Sequence, residues 1–218
     1  MSLRRRVLLV DLSNNNPSPI DFAAIRRDGV FGVLLKVTEG EAFVDQTYLD
    51  RARAARAAGL HVGGYHFARP KGDPARQASF FAHHLGKVGR RDLHPALDLE
   101  VNDEHLHPDV LLSWVMGFEQ HVHMISGVRT LLYTYPGFLA EQHWSHRPGT
   151  GAGLWIAAYG PNDGRDHGVT AAELKPWRRC VAHQYTSVGR VAGVNGNVDL
   201  SHGRSRRAML AHGLRGLF

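Results

Sequence analysis

Strand-like apolar runs and helix-like stretches alternate from residue 7 to about residue 200. A strand that returns through a helical crossover lies parallel to its predecessor, so this alternation points to βα units rather than an all-β or all-α fold. Strands are expected over residues 7–12, 32–37, 62–67, 94–100, 130–135, 154–158, 180–186 and 197–200. Helices are expected over 20–28, 46–58 behind an Asp45 N-cap, 75–85 behind Asp73-Pro74, 108–126 and 136–142, with one helical turn at 170–174. In the longest helix Leu111, Trp114, Val115, Phe118, Val122 and Ile125 recur at helical spacing, so Trp114 and Phe118 read as core. A chain of 218 residues with 43% hydrophobic content is long enough for one sizeable core. The expected fold is an irregular α/β single-domain barrel, TIM-barrel-like, with weak helices in its second half. The barrel takes residues 1–203, and 204–218 form a basic C-terminal helix or tail in which Leu210, Leu214 and Leu217 are loosely helical.

The segment His94-Pro95-Ala96-Leu97-Asp98-Leu99-Glu100 reads as a short buried strand opened by proline. Successive strand residues point to opposite faces, so Leu97 and Leu99 share one side and Asp98 and Glu100 the other. Crowded carboxylates do not titrate alike: one pKa rises while the other group stays ionised. That division suits glycoside hydrolysis, which uses a protonated acid for the leaving oxygen and an anion beside the developing cation. In an α/β barrel the loops after the strands gather residues onto one face. Asp11 ends the first strand and Asp199 the eighth, so four carboxylates are expected to converge on one mouth. Tyr65, Tyr133, Tyr135, Trp155, Tyr159 and Tyr185 with Gln184 stand at the ends of other strands, the composition of a sugar groove.

Composition removes several rivals. The formal net charge of +6 favours a polyanionic partner, yet no nucleic-acid or nucleotide motif accompanies it, so no nucleic-acid partner is expected. Cys180 is the only cysteine, which excludes an internal disulfide. The pairs His83-His84, His105/His107 and His121/His123 lack the spacing of a metal site and read as surface histidines, so neither metal nor cofactor is expected. The apolar run after Arg4-Arg5-Arg6 stops at Asp11, too short for a signal peptide, and no stretch is long enough for a transmembrane segment.

Val10-Asp11-Leu12-Ser13, Leu35-Lys36-Val37-Thr38-Glu39-Gly40, Ala58-Gly59-Leu60, Gly64-Tyr65-His66-Phe67-Ala68, Leu97-Asp98-Leu99-Glu100, Leu154-Trp155-Ile156-Ala157, Gln184-Tyr185 and Val198-Asp199-Leu200 resemble, in order and spacing, the glycoside hydrolase family 25 lysozymes. These are Chalaropsis-type N-acetylmuramidases, found as phage endolysins and autolysins. The resemblance covers about residues 7–202 and implies hydrolysis of the MurNAc-β-1,4-GlcNAc bond of bacterial peptidoglycan. By the same resemblance Glu100 is the general acid/base and Asp98 its companion carboxylate. Asp11 and Asp199 support them, and Tyr65, Tyr133, Trp155 and Gln184 line the groove. Asp98 either attacks carbon directly or steers the substrate's acetamido oxygen, and substrate assistance is preferred. Two departures fall at the expected groove rim: His183 where the family usually has tryptophan, and Asn14-Asn15-Asn16 after the first strand. With no further module expected after the eighth strand, the net positive charge is expected to supply wall affinity. The expected protein is a monomer acting on the cell wall, outside the cell or released from phage-infected cytoplasm. The alternative is a catalytically silent wall-binding module on the same fold.

Overall fold

The structure, a computed structural model, describes residues 6–86 and 93–211. Its sheet closes on itself: β1 (Val7–Leu12), β2 (Gly32–Glu39), β4 (His61–Phe67), β5 (Ala96–Asp98), β6 (Leu131–Thr134), β7 (Gly153–Ala157), β8 (Ala182–Gly189) and β9 (Val198–Gly203) follow one another round a barrel. A two-residue strand β3 (Phe43–Val44), absent from the sequence reading, folds back antiparallel on Thr38 and Glu39 and lengthens β2 to Glu39.

Seven barrel strands are mutually parallel. The eighth, β9, departs from the βα expectation by running antiparallel to both neighbours. A parallel return needs a crossover of about a dozen residues or more, and the link from Gly189 to Val198 is too short for one, so β8 and β9 form a hairpin. This reversal has a consequence for the site. Asp199 lies near the start of its strand, not at the end, and only an antiparallel β9 brings that start to the mouth, where Asp199 registers with Asp11.

Alternate residues of each strand build two apolar layers. Leu9, Leu34, Ala96, Leu131, Trp155 and Ala182 fill the barrel interior with Val7, Leu93 and Met209. Val10, Leu35, Leu97, Leu99, Leu132 and Ile156 face outward into the layer shared with the helices. The helices are α1 (Phe22–Arg27), α2 (Tyr48–Ala57), α3 (Pro74–Gly86), α4 (Pro108–Ser126), α5 (Pro136–Gln142) and α6 (Arg206–Met209). In α4 Trp114 and Phe118 are core, as their spacing predicts, and stack with ring centroids 5.8 Å apart. The helix stops at Gly127, whose φ of 66° suits glycine.

Three local expectations change. Asp45 does not cap α2, which starts later behind Thr47; its carboxylate accepts from Thr47 N and Oγ1 (2.8 and 2.6 Å) and from Asn14 N (2.7 Å). Competition from those donors ties the loop after β1 to the start of α2. Residues 171–176 are turns without a helix. At the C-terminus α6 is four residues long and Met209 is buried against the base of the barrel, while the expected helical positions Leu214 and Leu217 lie outside the described residues.

Candidate active site

Asp11 occupies the inward-facing register of β1, two residues after Leu9, and Asp98 is the last residue of β5. The strand ends there, but Leu99 N still donates to Tyr133 O at 2.9 Å. One further rung of the parallel ladder thus holds the backbone extended and keeps Glu100 on the Asp98 side. Asp11 and Asp98 are buried; Glu100 and Asp199 are half-buried. The structure brings all four carboxyls together. Burial raises Asp11 and Asp98 well above the usual carboxylate range, with repulsion from Asp199 and Glu100 adding to it at Asp11 and from Glu100 and Asp11 at Asp98. Burial also raises Glu100, where repulsion from Asp199 adds to the rise and the nearby Tyr133 phenol opposes it. Asp199 is pushed up to about 6 by burial. Burial and mutual repulsion make such a cluster hold its protons to higher pH than isolated carboxyls would, and the groups titrate together rather than independently.

Gln184 orders one side of the mouth. Its Oε1 accepts from the phenols of Tyr133 (2.8 Å) and Tyr159 (2.6 Å), so its Nε2 is left to face Asp11, donating to Oδ1 and Oδ2 at 3.0 and 3.1 Å. Two donors on the amide oxygen fix which way the amide points. Asp98 differs: its Oδ1 is buried without a hydrogen-bond partner among the described residues. A buried acceptor left open at the mouth is available to a ligand's donor. Tyr65 stands half-buried near Asp98 and Asp11, and burial, with repulsion from these two carboxylates adding to it, raises its phenol well above the usual range.

Trp155 sits deeper than the groove expected for it. It is only 2% exposed, its Nε1 donates to Ser201 Oγ at 3.0 Å, and Tyr133 meets it edge-on at 4.6 Å, so it supports Tyr133 from inside the barrel. His183 is also not at the rim. It alternates with Gln184 and so faces outward and buried, with Nε2 2.8 Å from Ala158 O and Nδ1 3.3 Å from Asp166 Oδ1. Asp166 also accepts from Arg6 and His202, and so ties the 159–178 segment to the barrel wall. The Asn14-Asn15-Asn16 turn follows β1 and is held by Asp45 and by Arg51, which donates to Ser13 O and Asn16 O.

A charged rim carries no role in the sequence reading. Lys36 Nζ lies 2.6 Å from Glu39 Oε2, Arg69 reaches Glu39 Oε1 at 2.7 Å and Asp103 Oδ2 at 2.9 Å, and Lys36 pulls the Asp98 pKa down. Its signal was a lysine inside an otherwise apolar barrel strand, since an unpaired buried ammonium is costly. Among the described residues no group of three or more His, Cys, Asp or Glu side chains is placed to hold a metal ion.

A closed α/β barrel whose mouth holds interacting acids with raised pKa values, beside a tyrosine-locked amide, is equipped for acid/base chemistry on a polar polymer such as a glycan. Residues 10–194 match the sequence model of glycosyl hydrolases family 25, and the chain belongs to that family. It is 31% identical over 185 residues to the autolytic lysozyme of Clostridium acetobutylicum, a match covering 83% of this chain and 51% of that protein. It is 28% identical over 204 residues to lysozyme M1 of Streptomyces globisporus, covering 87% of this chain and 65% of the relative. The chain therefore spans about half to two thirds of the length of these relatives. The crystal structure of the bacterial lysozyme from Streptomyces coelicolor superposes with a TM-score of 0.77 at 25% identity, covering 90% of this chain and 91% of that one. No helix among the described residues is long and apolar enough to cross a membrane.

Proposed function

We propose that the protein is a lysozyme, a 1,4-β-N-acetylmuramidase that hydrolyses the MurNAc-β-1,4-GlcNAc bond of bacterial peptidoglycan at the cell wall, with residues 1–203 as its catalytic barrel. The observation that carries this reading is the meeting of Glu100 and Asp98 with Asp11 and Asp199 in one barrel mouth. Glu100, half-buried with its pKa raised, is the acid that protonates the leaving glycosidic oxygen as the bond to the anomeric carbon breaks. Asp98 is the anion that accepts the substrate's acetamido N–H on its open oxygen and so directs the acetamido carbonyl oxygen onto the anomeric carbon. Burial and the neighbouring acids favour the protonated form of Asp98 in the free site, and Lys36 together with a hydrogen bond from bound substrate acts the other way and favours the anion. Glu100, now a carboxylate, takes a proton from the water that opens the oxazolinium ring, which returns the site to its starting state. Asp199 holds up the Glu100 pKa, Asp11 shapes the mouth with it, and Tyr65, Tyr133 and Gln184 form its walls over the deeper Trp155.

The test is digestion of purified peptidoglycan with wild type and Glu100→Gln, followed by reduction and mass spectrometry of the new ends. Muramic acid ends from the wild type, lost in the variant, are expected. Glucosamine ends would overturn the bond assignment. No new ends from either protein, with wall pelleting retained, would instead make it a silent binding module.

A further inference from the structure

A second concavity opens at the opposite end of the barrel, where β1, β2 and β4 begin, with a volume of about 580 Å³. Its described lining includes Arg6, Arg26, Arg206, Arg207, His61 and Phe31, and no acidic side chain. Arg6 is engaged by Asp166. Arg26, Arg206 and Arg207 are exposed and form no ion pair among the described residues. Three guanidinium groups without carboxylate partners around one concave surface repel one another, and a multivalent anion relieves that repulsion. The planar fork of arginine matches phosphate oxygens in pairs.

We propose that this basal cavity binds the phosphate groups of an anionic, phosphodiester-linked polyol attached to the cell wall. The choice of a wall polymer rests on the proposed muramidase function; the anion site itself rests on the arginines. One observation favours such a chain over nucleic acid. The two rings in the described lining are already engaged, with His61 packed on Phe31 at 4.4 Å and the Arg206 guanidinium 5.3 Å from the Phe31 centroid, so a base would have to displace one of these contacts in order to stack. The location also allows simultaneous binding, because the carboxylate mouth lies at the other end of the barrel. A polymer held at the base would raise the local concentration of glycan at the mouth without entering it.

The experiment measures equilibrium binding of fluorescently labelled poly(glycerol phosphate) to wild type, to Arg26→Gln/Arg206→Gln/Arg207→Gln, and to Arg53→Gln/Arg147→Gln/Arg190→Gln, which removes the same charge outside the cavity. Charge-assisted contacts are lost only in the first variant, so its affinity is expected to fall by on the order of tenfold or more. Release of muramic acid ends from phosphate-stripped peptidoglycan is expected to be unchanged by either variant. Absence of wild-type binding, or an equal loss in both variants, would overturn the site. Equal affinity for duplex DNA, with the same loss in the basal variant, would overturn the wall-polymer assignment. Failure of the muramidase reading would show separately, as absence of muramic acid ends from wild type.

Discussion

Glu119 offers a test of how burial controls ionisation in this chain. It lies on α4, 2% exposed, and its Oε2 accepts from Thr150 Oγ1 at 2.5 Å, pinning the loop that leads into β7. Burial pushes its pKa up to about 7, against the opposing pull of Thr150 and Arg129. The folded protein therefore binds a proton here that the unfolded chain, with an ordinary glutamate near 4.5, has already released. The contribution to stability is complete below pH 4.5 and is lost as pH rises through about 7. At about 1.4 kcal/mol per pH unit, the gap between 4.5 and 7 amounts to about 3 kcal/mol. Glu119→Gln keeps an oxygen for Thr150 and removes the titration. Urea unfolding of both proteins between pH 4 and pH 8 is the assay. The stability of the variant relative to wild type is expected to rise by about 3 kcal/mol over that range, most of it between pH 5 and pH 7. A difference that stays constant with pH would refute the reasoning, because a packing or hydrogen-bond change carries no such slope.

Two substitutions beside Glu100 are expected to move its ionisation in opposite directions. Repulsion from Asp199 raises Glu100 and the Tyr133 phenol lowers it, so Asp199→Asn shifts the alkaline limb of the kcat/KM profile to lower pH and Tyr133→Phe shifts it to higher pH. Shifts of the same sign would remove Glu100 as the acid. In the fold, a Cβ on Gly64 would meet Val37 Cγ2 at 2.5 Å and Leu85 Cδ1 at 2.7 Å, so Gly64→Ala is expected to cost about 1–3 kcal/mol through overpacking. Thermal unfolding at a fixed pH checks this, and an unchanged Tm would show that α3 yields without cost.

Much of the barrel was legible because strand periodicity is local. Leu97 and Leu99 went to the outer layer and Asp98 to the inner face as alternation requires, and 108–126 and 136–142 are helices with the expected bounds. Asp11, Asp98 and Glu100 were legible for the same reason, each standing at or close to the end of a recognisable strand, whereas Asp199 was picked out but expected at the wrong end of its strand. What escaped was whatever depended on a partner far away in the chain. Asp45 was drawn off its capping position by Asn14, Trp155 was covered by Tyr133, and His183 faced outward onto Asp166.

By itself the sequence determined the order of the eight barrel strands and of helices α1 to α5, the alternation of faces along the strands, and the family of the chain, since these rest on spacing and on ordered motifs. Tertiary structure alone decided the rest. The hairpin reversal of β9 delivered Asp199 to Asp11, and closure of the barrel set Gln184 between two phenols and a carboxylate. Closure also gathered Arg26, Arg206 and Arg207 at the base. Ionisation belongs to that second category, because the dominant cause of the raised acids is burial, and burial is a property of the closed barrel rather than of any residue in it.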